Sequence, residues 1–83
     1  MEDEGLRNTL KVQRAMRDLT QADLAALAGV TRKSVNAIET GRMTPSVFLA
    51  LKLARALGVS VETIFSLGGG RVPASSNSPF NPE

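Results

Sequence analysis

Cysteine and histidine are both missing from these 83 residues. Without cysteine the chain has no disulfide framework and no thiolate metal site. Without histidine it lacks the commonest general base, the commonest metal ligand and the side chain that titrates near neutral pH. Tryptophan and tyrosine are absent too, and Phe48, Phe65 and Phe80 are the only aromatic residues, so aliphatic side chains must fill any core. No apolar run approaches the ~20 residues that span a bilayer. The N-terminus carries Glu2, Asp3 and Glu4 where a signal peptide would carry basic residues. No Gly-rich loop leads into Lys-Ser or Lys-Thr, and no two carboxylates fall on one predicted wall. These absences leave no catalytic residues, no metal ligands and no cofactor site to expect, and they point to a soluble, cytoplasmic protein of prokaryotic type rather than an enzyme.

Charge nearly balances overall but is unevenly placed. The formal net charge is +2. Met1–Gly5 is acidic throughout its charged positions. Leu6–Arg42 holds Arg7, Lys11, Arg14, Arg17, Arg32, Lys33 and Arg42 against Asp18, Asp23 and Glu39. Met43–Glu83 holds Lys52, Arg55 and Arg71 against Glu62 and Glu83. The positive excess therefore lies in Leu6–Arg42, behind the acidic lead-in, the pattern of a protein that meets an acidic partner such as nucleic acid.

Apolar spacing predicts five helices. The first covers Leu6–Arg17, with Leu10, Gln13, Arg14 and Arg17 on one stripe; polar groups there are unexpected, and Arg17 and Lys11 are expected to be solvated. Thr20 then offers an N-cap with Asp23 three residues on, a capping-box spacing, and Leu19 and Leu24 flank it as a hydrophobic staple. Leu24, Ala25, Leu27 and Ala28 share one broad side of this second helix, which Gly29 ends because a residue without Cβ suits the left-handed conformation there. Val30 plugs the turn. Thr31 caps a third helix to Glu39, with Val35 and Ile38 inward, and Gly41 supplies a tight exit. Pro45 resists a continued helix. Ser46 caps a fourth, Val47–Leu57, with Val47, Ala50, Leu51, Ala54 and Leu57 in a stripe widened by Leu49 and Leu53. Gly58 ends it, and Ser60 caps a short fifth helix to about Phe65 that must bury Val61, Ile64 and Phe65. Phe48 falls with Lys52 and Arg55 on the polar side of the fourth helix. The chain thus divides into an acidic lead-in over 1–5, a folded unit over 6–67, and a tail over 68–83. In the tail, Gly68-Gly69-Gly70 leads into RVPASSNSPFNPE, too polar to fold alone; its Val72, Pro79 and Phe80 are candidates to dock on a partner subunit.

TQADLA, GVTRKSVNAIETG and TPSVFLALKLARALGVSVETIF, in that order and spacing, resemble the Cro/repressor-type (XRE-family) helix-turn-helix proteins over about Asn8–Leu67. The resemblance implies an all-α, five-helix, lambda-repressor-like domain with the helix-turn-helix at helices two and three. It implies a transcription regulator, a repressor in the leading reading, that binds an inverted-repeat operator in double-stranded DNA as a homodimer. Residue by residue, Arg32, Lys33, Asn36 and Ala37 would read bases, and Gln21, Thr31, Thr40 and Arg42 would contact phosphates. Arg14 would pair inside the fold with Glu39. Gln13 departs from the apolar choice usual at its position. Phe48, Val61, Ile64 and Phe65 are the candidate dimer contacts. No ligand-sensing segment is visible, so no small-molecule effector is expected. Two further roles fit the same fold: an antitoxin or the controller of a restriction–modification operon, and a helix-turn-helix used only for protein–protein contact. The basic start of the third helix and Gln21 argue against the last.

Overall fold

Hydroxyl side chains start four of the five helices. The structure, a computed structural model, describes residues 5–68; all but Gly5 of the expected lead-in and all but Gly68 of the expected tail, including Val72, Pro79 and Phe80, lie outside them. The elements run β1 (Leu6–Asn8), α1 (Leu10–Ala15), α2 (Gln21–Ala28), α3 (Arg32–Glu39), α4 (Val47–Leu57), α5 (Val61–Ile64) and β2 (Phe65–Leu67). Thr20, Thr31, Ser46 and Ser60 accept the main-chain N–H three residues on, from Asp23, Ser34, Leu49 and Thr63. Each cap satisfies a donor that the helix itself leaves open, typically for about 1 kcal/mol. At Thr20 the box closes, because Asp23 accepts the Thr20 N–H at 2.9 Å. That bond from the Thr20 main chain, seconded by the Thr20 hydroxyl, holds the Asp23 carboxyl below its usual value.

The predicted first helix is the element that changes most. Leu6–Asn8 is a strand, antiparallel to β2 with Leu6 opposite Leu67, Arg7 opposite Ser66 and Asn8 opposite Phe65. The fold thus has the five expected helices and, in addition to that all-α set, a small two-stranded sheet, and the fifth helix stops at Ile64 because Phe65 turns extended. Three-residue strands are too short to show an alternating pattern, and Leu6 sits one helical turn before Leu10, so the spacing also suited a helix. At the other end α1 stops at Ala15. Asp18 takes φ +56°, the left-handed region that Asp tolerates better than most residues, and the Leu19 N–H returns to the Arg14 carbonyl at 3.1 Å.

Leu10, Leu24, Val35, Ile38, Leu53 and Ile64 are fully buried, at 2% exposure or less. Each contributes about 1.5–3 kcal/mol of apolar burial, set against the conformational entropy of folding. They come from all five helices, so the core is one cluster rather than a pairwise contact. Two expected stripes are narrower than predicted. Leu27 is exposed on α2, and on α4 the buried set is Ala50, Leu53, Ala54 and Leu57, leaving Val47 and Leu51 outside. Small residues, Ala25 and Ala28 on α2 and Ala50 and Ala54 on α4, make up much of the buried sides of these two helices. Among the described residues no helix is long and apolar enough to cross a membrane.

Candidate functional site

Gly29 sets the geometry of this region. Its φ is +74°, and its N–H and that of Val30 both return to the Ala25 carbonyl, at 2.9 and 3.0 Å. The chain then has only Val30 and Thr31 before α3 begins, so α2 and α3 meet across a tight turn. Lys52 of α4 braces it from the side: its Nζ donates to the Gly29 carbonyl at 2.9 Å, while the ammonium sits 4.8 Å from the centre of the Phe48 ring. Nothing in the apolar pattern points to Lys52, whose role exists only once α2 and α4 are packed.

Val35 and Ile38 bury one side of α3, which leaves Arg32 and Lys33 exposed on the other. A groove of about 480 Å³ opens there, lined by Gln21 of α2 and by Arg32, Lys33 and Asn36 of α3. Two cations and two amides line it, and no acid does. The groove brings together one residue expected at a phosphate and three expected at bases. Ala37, half-buried, does not line it, and its carbonyl accepts the N–H groups of Arg42 and Met43 as the chain leaves α3. Arg42 is exposed just past that exit. Thr40 turns its hydroxyl back to the Asn36 carbonyl at 2.9 Å. The Thr31 hydroxyl accepts the Ser34 N–H and donates to Ser34 Oγ at 2.9 Å, so capping uses it in both directions.

Beneath the groove lies an ion pair. Arg14 donates from Nε to Glu39 Oε2 at 2.8 Å and from Nη2 to Oε1 at 3.2 Å, and from Nη1 to the Leu19 carbonyl at 2.8 Å. The Glu39 side chain is only 3% exposed and that of Arg14 15%. Burial alone would raise the Glu39 pKa and is the largest single effect. Hydrogen bonds from Arg14 and Gln21, with the charges of Arg14 and Lys11, together outweigh it and hold the carboxyl below its usual value. The bond to Glu39 in turn raises Arg14 against the opposing cost of burial. Gln21 donates to Glu39 Oε1 at 3.0 Å and to Asn36 Oδ1 at 3.2 Å. Arg17, expected to be free in solvent, instead donates to the Gln13 carbonyl at 2.6 Å and to Gln13 Oε1 at 3.2 Å, which gives the polar stripe of α1 its reason.

Asn8 escaped notice in the sequence. Its Oδ1 accepts the Leu10 N–H at 3.1 Å and starts α1, the one helix without a hydroxyl cap, while its Nδ2 donates to the Ile38 carbonyl at 3.1 Å. It therefore ties α1 to the end of α3. An asparagine two residues before a helix was the available signal.

Of the four candidate dimer contacts, Ile64 (1% exposed) and Phe65 (8%) belong to the chain's own core and are unavailable to a second copy. Val61 packs half-buried against that core. Phe48 is 71% exposed and lines a second groove with Leu51, Lys52 and Arg55. Among the described residues no cluster of acidic side chains is placed to hold a metal ion.

A family profile described as "Helix-turn-helix" matches residues 10–64. An uncharacterized HTH-type transcriptional regulator of Methanocaldococcus jannaschii is 48% identical over 60 residues, 72% of this chain and 91% of its own. A second, from Bacillus subtilis, is 40% identical over 62 residues, 75% of this chain and 94% of its own. Among solved structures, the restriction-modification controller protein C.AhdI from Aeromonas hydrophila superposes with a TM-score of 0.63 at 35% identity. That match covers 65% of this chain and 82% of the controller.

Proposed function

This chain belongs to the Cro/repressor-type helix-turn-helix family of DNA-binding transcription regulators, and on that premise we propose that α2 and α3 are its helix-turn-helix and that α3 reads operator DNA in the major groove. The observation that carries this reading is the groove shared by Gln21, Arg32, Lys33 and Asn36. An α-helix fits the major groove, and the first residues of such a helix lie nearest the base edges. Arg32 and Lys33 open α3 and are unencumbered by any acid in that groove. Their donors match guanine O6 and N7, and Arg32 can engage both at once. Asn36 reads from the next turn. Ala37 carries only a methyl group, which allows close approach or touches a thymine methyl.

Phosphates are met at the ends of the two helices. Gln21 offers the main-chain N–H of the first turn of α2, a position that attracts anions. Arg42, past the end of α3, supplies a charge, and Thr31 and Thr40 flank the same helix. These contacts position the protein and carry no base preference.

The folded unit over 6–67 works as a homodimer on an inverted repeat whose half-site centres lie about 10 base pairs apart or a multiple of one turn. The exposed Phe48 and Leu51 support this, as they are apolar surface that the monomer leaves in water. Repression follows where such an operator overlaps a promoter. The likeness to C.AhdI favours one narrower setting, control of a restriction–modification operon. Selection of bound sites from a random duplex pool tests the function. Enrichment of an inverted repeat supports it; a pool that stays random after repeated rounds refutes it.

A further inference from the structure

Glu39, Gln21 and Asn36 fix one another's hydrogen-bond direction. An ionised carboxylate only accepts. Glu39 is held ionised by two bonds from Arg14, and so whatever else touches it must donate. That requirement assigns the Gln21 amide: its Nε2 faces Glu39 Oε1 at 3.0 Å. The same nitrogen lies 3.2 Å from Asn36, which must answer with its oxygen, because two NH₂ groups would otherwise meet. Both hydrogens of Gln21 Nε2 are then used. What remains toward the groove is Gln21 Oε1 and the whole NH₂ of Asn36, neither with a partner among the described residues.

We propose that Glu39 is a positioning residue that sets the polarity of the base-reading groove through Gln21, so that Asn36 presents donors only. The inference rests on the reading of α3 as the base-reading helix. An asparagine free at both ends pairs bidentately with adenine, accepting from N6 and donating to N7. With Oδ1 turned to Gln21, Asn36 loses the accepting half of that pair. It matches edges that only accept: guanine through O6 and N7, or thymine through O4. The Arg14–Glu39 pair therefore shapes which base is chosen, beyond holding α1 to α3.

The experiment is site selection from a random duplex pool with the full chain and with the Asn36→Ala and Gln21→Leu variants. Asn36→Ala identifies the base position it serves, as the one that loses preference. At that position the parent is expected to favour guanine or thymine and to be depleted in adenine. Gln21→Leu frees the Asn36 amide to turn, and adenine should rise there on the order of tenfold relative to the parent, the scale of one bidentate pair. The parent alone already tests the polarity, whatever the stability of Gln21→Leu. Adenine preferred by the parent at the Asn36 position overturns the inference, as does an unchanged preference in Gln21→Leu or no lost preference in Asn36→Ala. A parent that enriches no sequence overturns the DNA-reading function itself, and the inference falls with it.

Discussion

Arg14→Met removes the guanidinium and keeps most of the stem's volume, so it isolates the ion pair from packing. Three hydrogen bonds disappear: two to Glu39 and one to the Leu19 carbonyl. Glu39 is left at 3% exposure with Gln21 as its remaining donor. Breaking a buried pair costs about 3–5 kcal/mol because a charge is left without compensation, and the 15% exposure of Arg14 places this case at the lower end, roughly 3 kcal/mol. In a domain of this size that lowers Tm by about 12–24 °C. An exposed pair would be worth at most about 1 kcal/mol. The two proteins should also respond to acid in opposite senses. In the parent the Glu39 pKa lies below its unfolded value of about 4.3. Its contribution is complete above that value and is lost as the pH falls through the folded pKa. In Arg14→Met burial is opposed chiefly by Gln21, the folded pKa rises above the unfolded one, and protonation relieves the variant. The gap in Tm should therefore narrow between pH 7 and pH 4. Thermal melts followed by circular dichroism at both pH values measure it. A shift below about 5 °C at pH 7, or a gap that widens in acid, would refute a shielded pair.

Other outcomes follow from single contacts. Gly29→Ala places a Cβ 3.6 Å from Lys52 Cε, an ordinary contact, so its cost of about 1–2 kcal/mol should come from the positive φ alone and appear in denaturant melts without loss of helix content. Asn8→Ala removes both the start of α1 and the tie to the Ile38 carbonyl, and should destabilise by about 1–3 kcal/mol in the same melts. Phe48→Ser should shift the mass measured by sedimentation toward monomer, since a dimer of ordinary size buries about 1,200–2,000 Å² and Phe48 is, among the described residues, the largest exposed apolar group available to it. A dimer unchanged by that substitution would place the interface elsewhere.

The elements with local punctuation could be read from the sequence, and those made by distant contacts could not. Thr20, Thr31, Ser46 and Ser60 announced four helix starts, and Gly29 and Gly58 two helix ends, because caps are chemistry within a few residues of chain. The β1–β2 pair joins Leu6 to Leu67 across almost the whole described chain, and neither strand is long enough to show a period. Leu27, Val47 and Leu51 satisfied helical spacing yet remain outside, since spacing names an apolar side without saying how wide a side the neighbours cover. The groove residues were recognisable by resemblance. Their coupling was not: that Gln21 spends its amide hydrogens on Glu39 and Asn36 depends on side-chain directions that only the packed fold sets.

The claim that α3 reads sequence while its flanks grip the backbone is tested most directly by one titration. Parent, Arg32→Ala and Arg42→Ala are titrated against the selected duplex and a scrambled one at several salt concentrations. Arg32→Ala should lose about 1–3 kcal/mol on the selected duplex and little on the scrambled one. Arg42→Ala should weaken both alike and lower the dependence of log K on log salt by about one. Equal loss on both duplexes for Arg32→Ala would contradict the account, because Arg32 would then be one more phosphate contact and α3 would not be the element that reads bases.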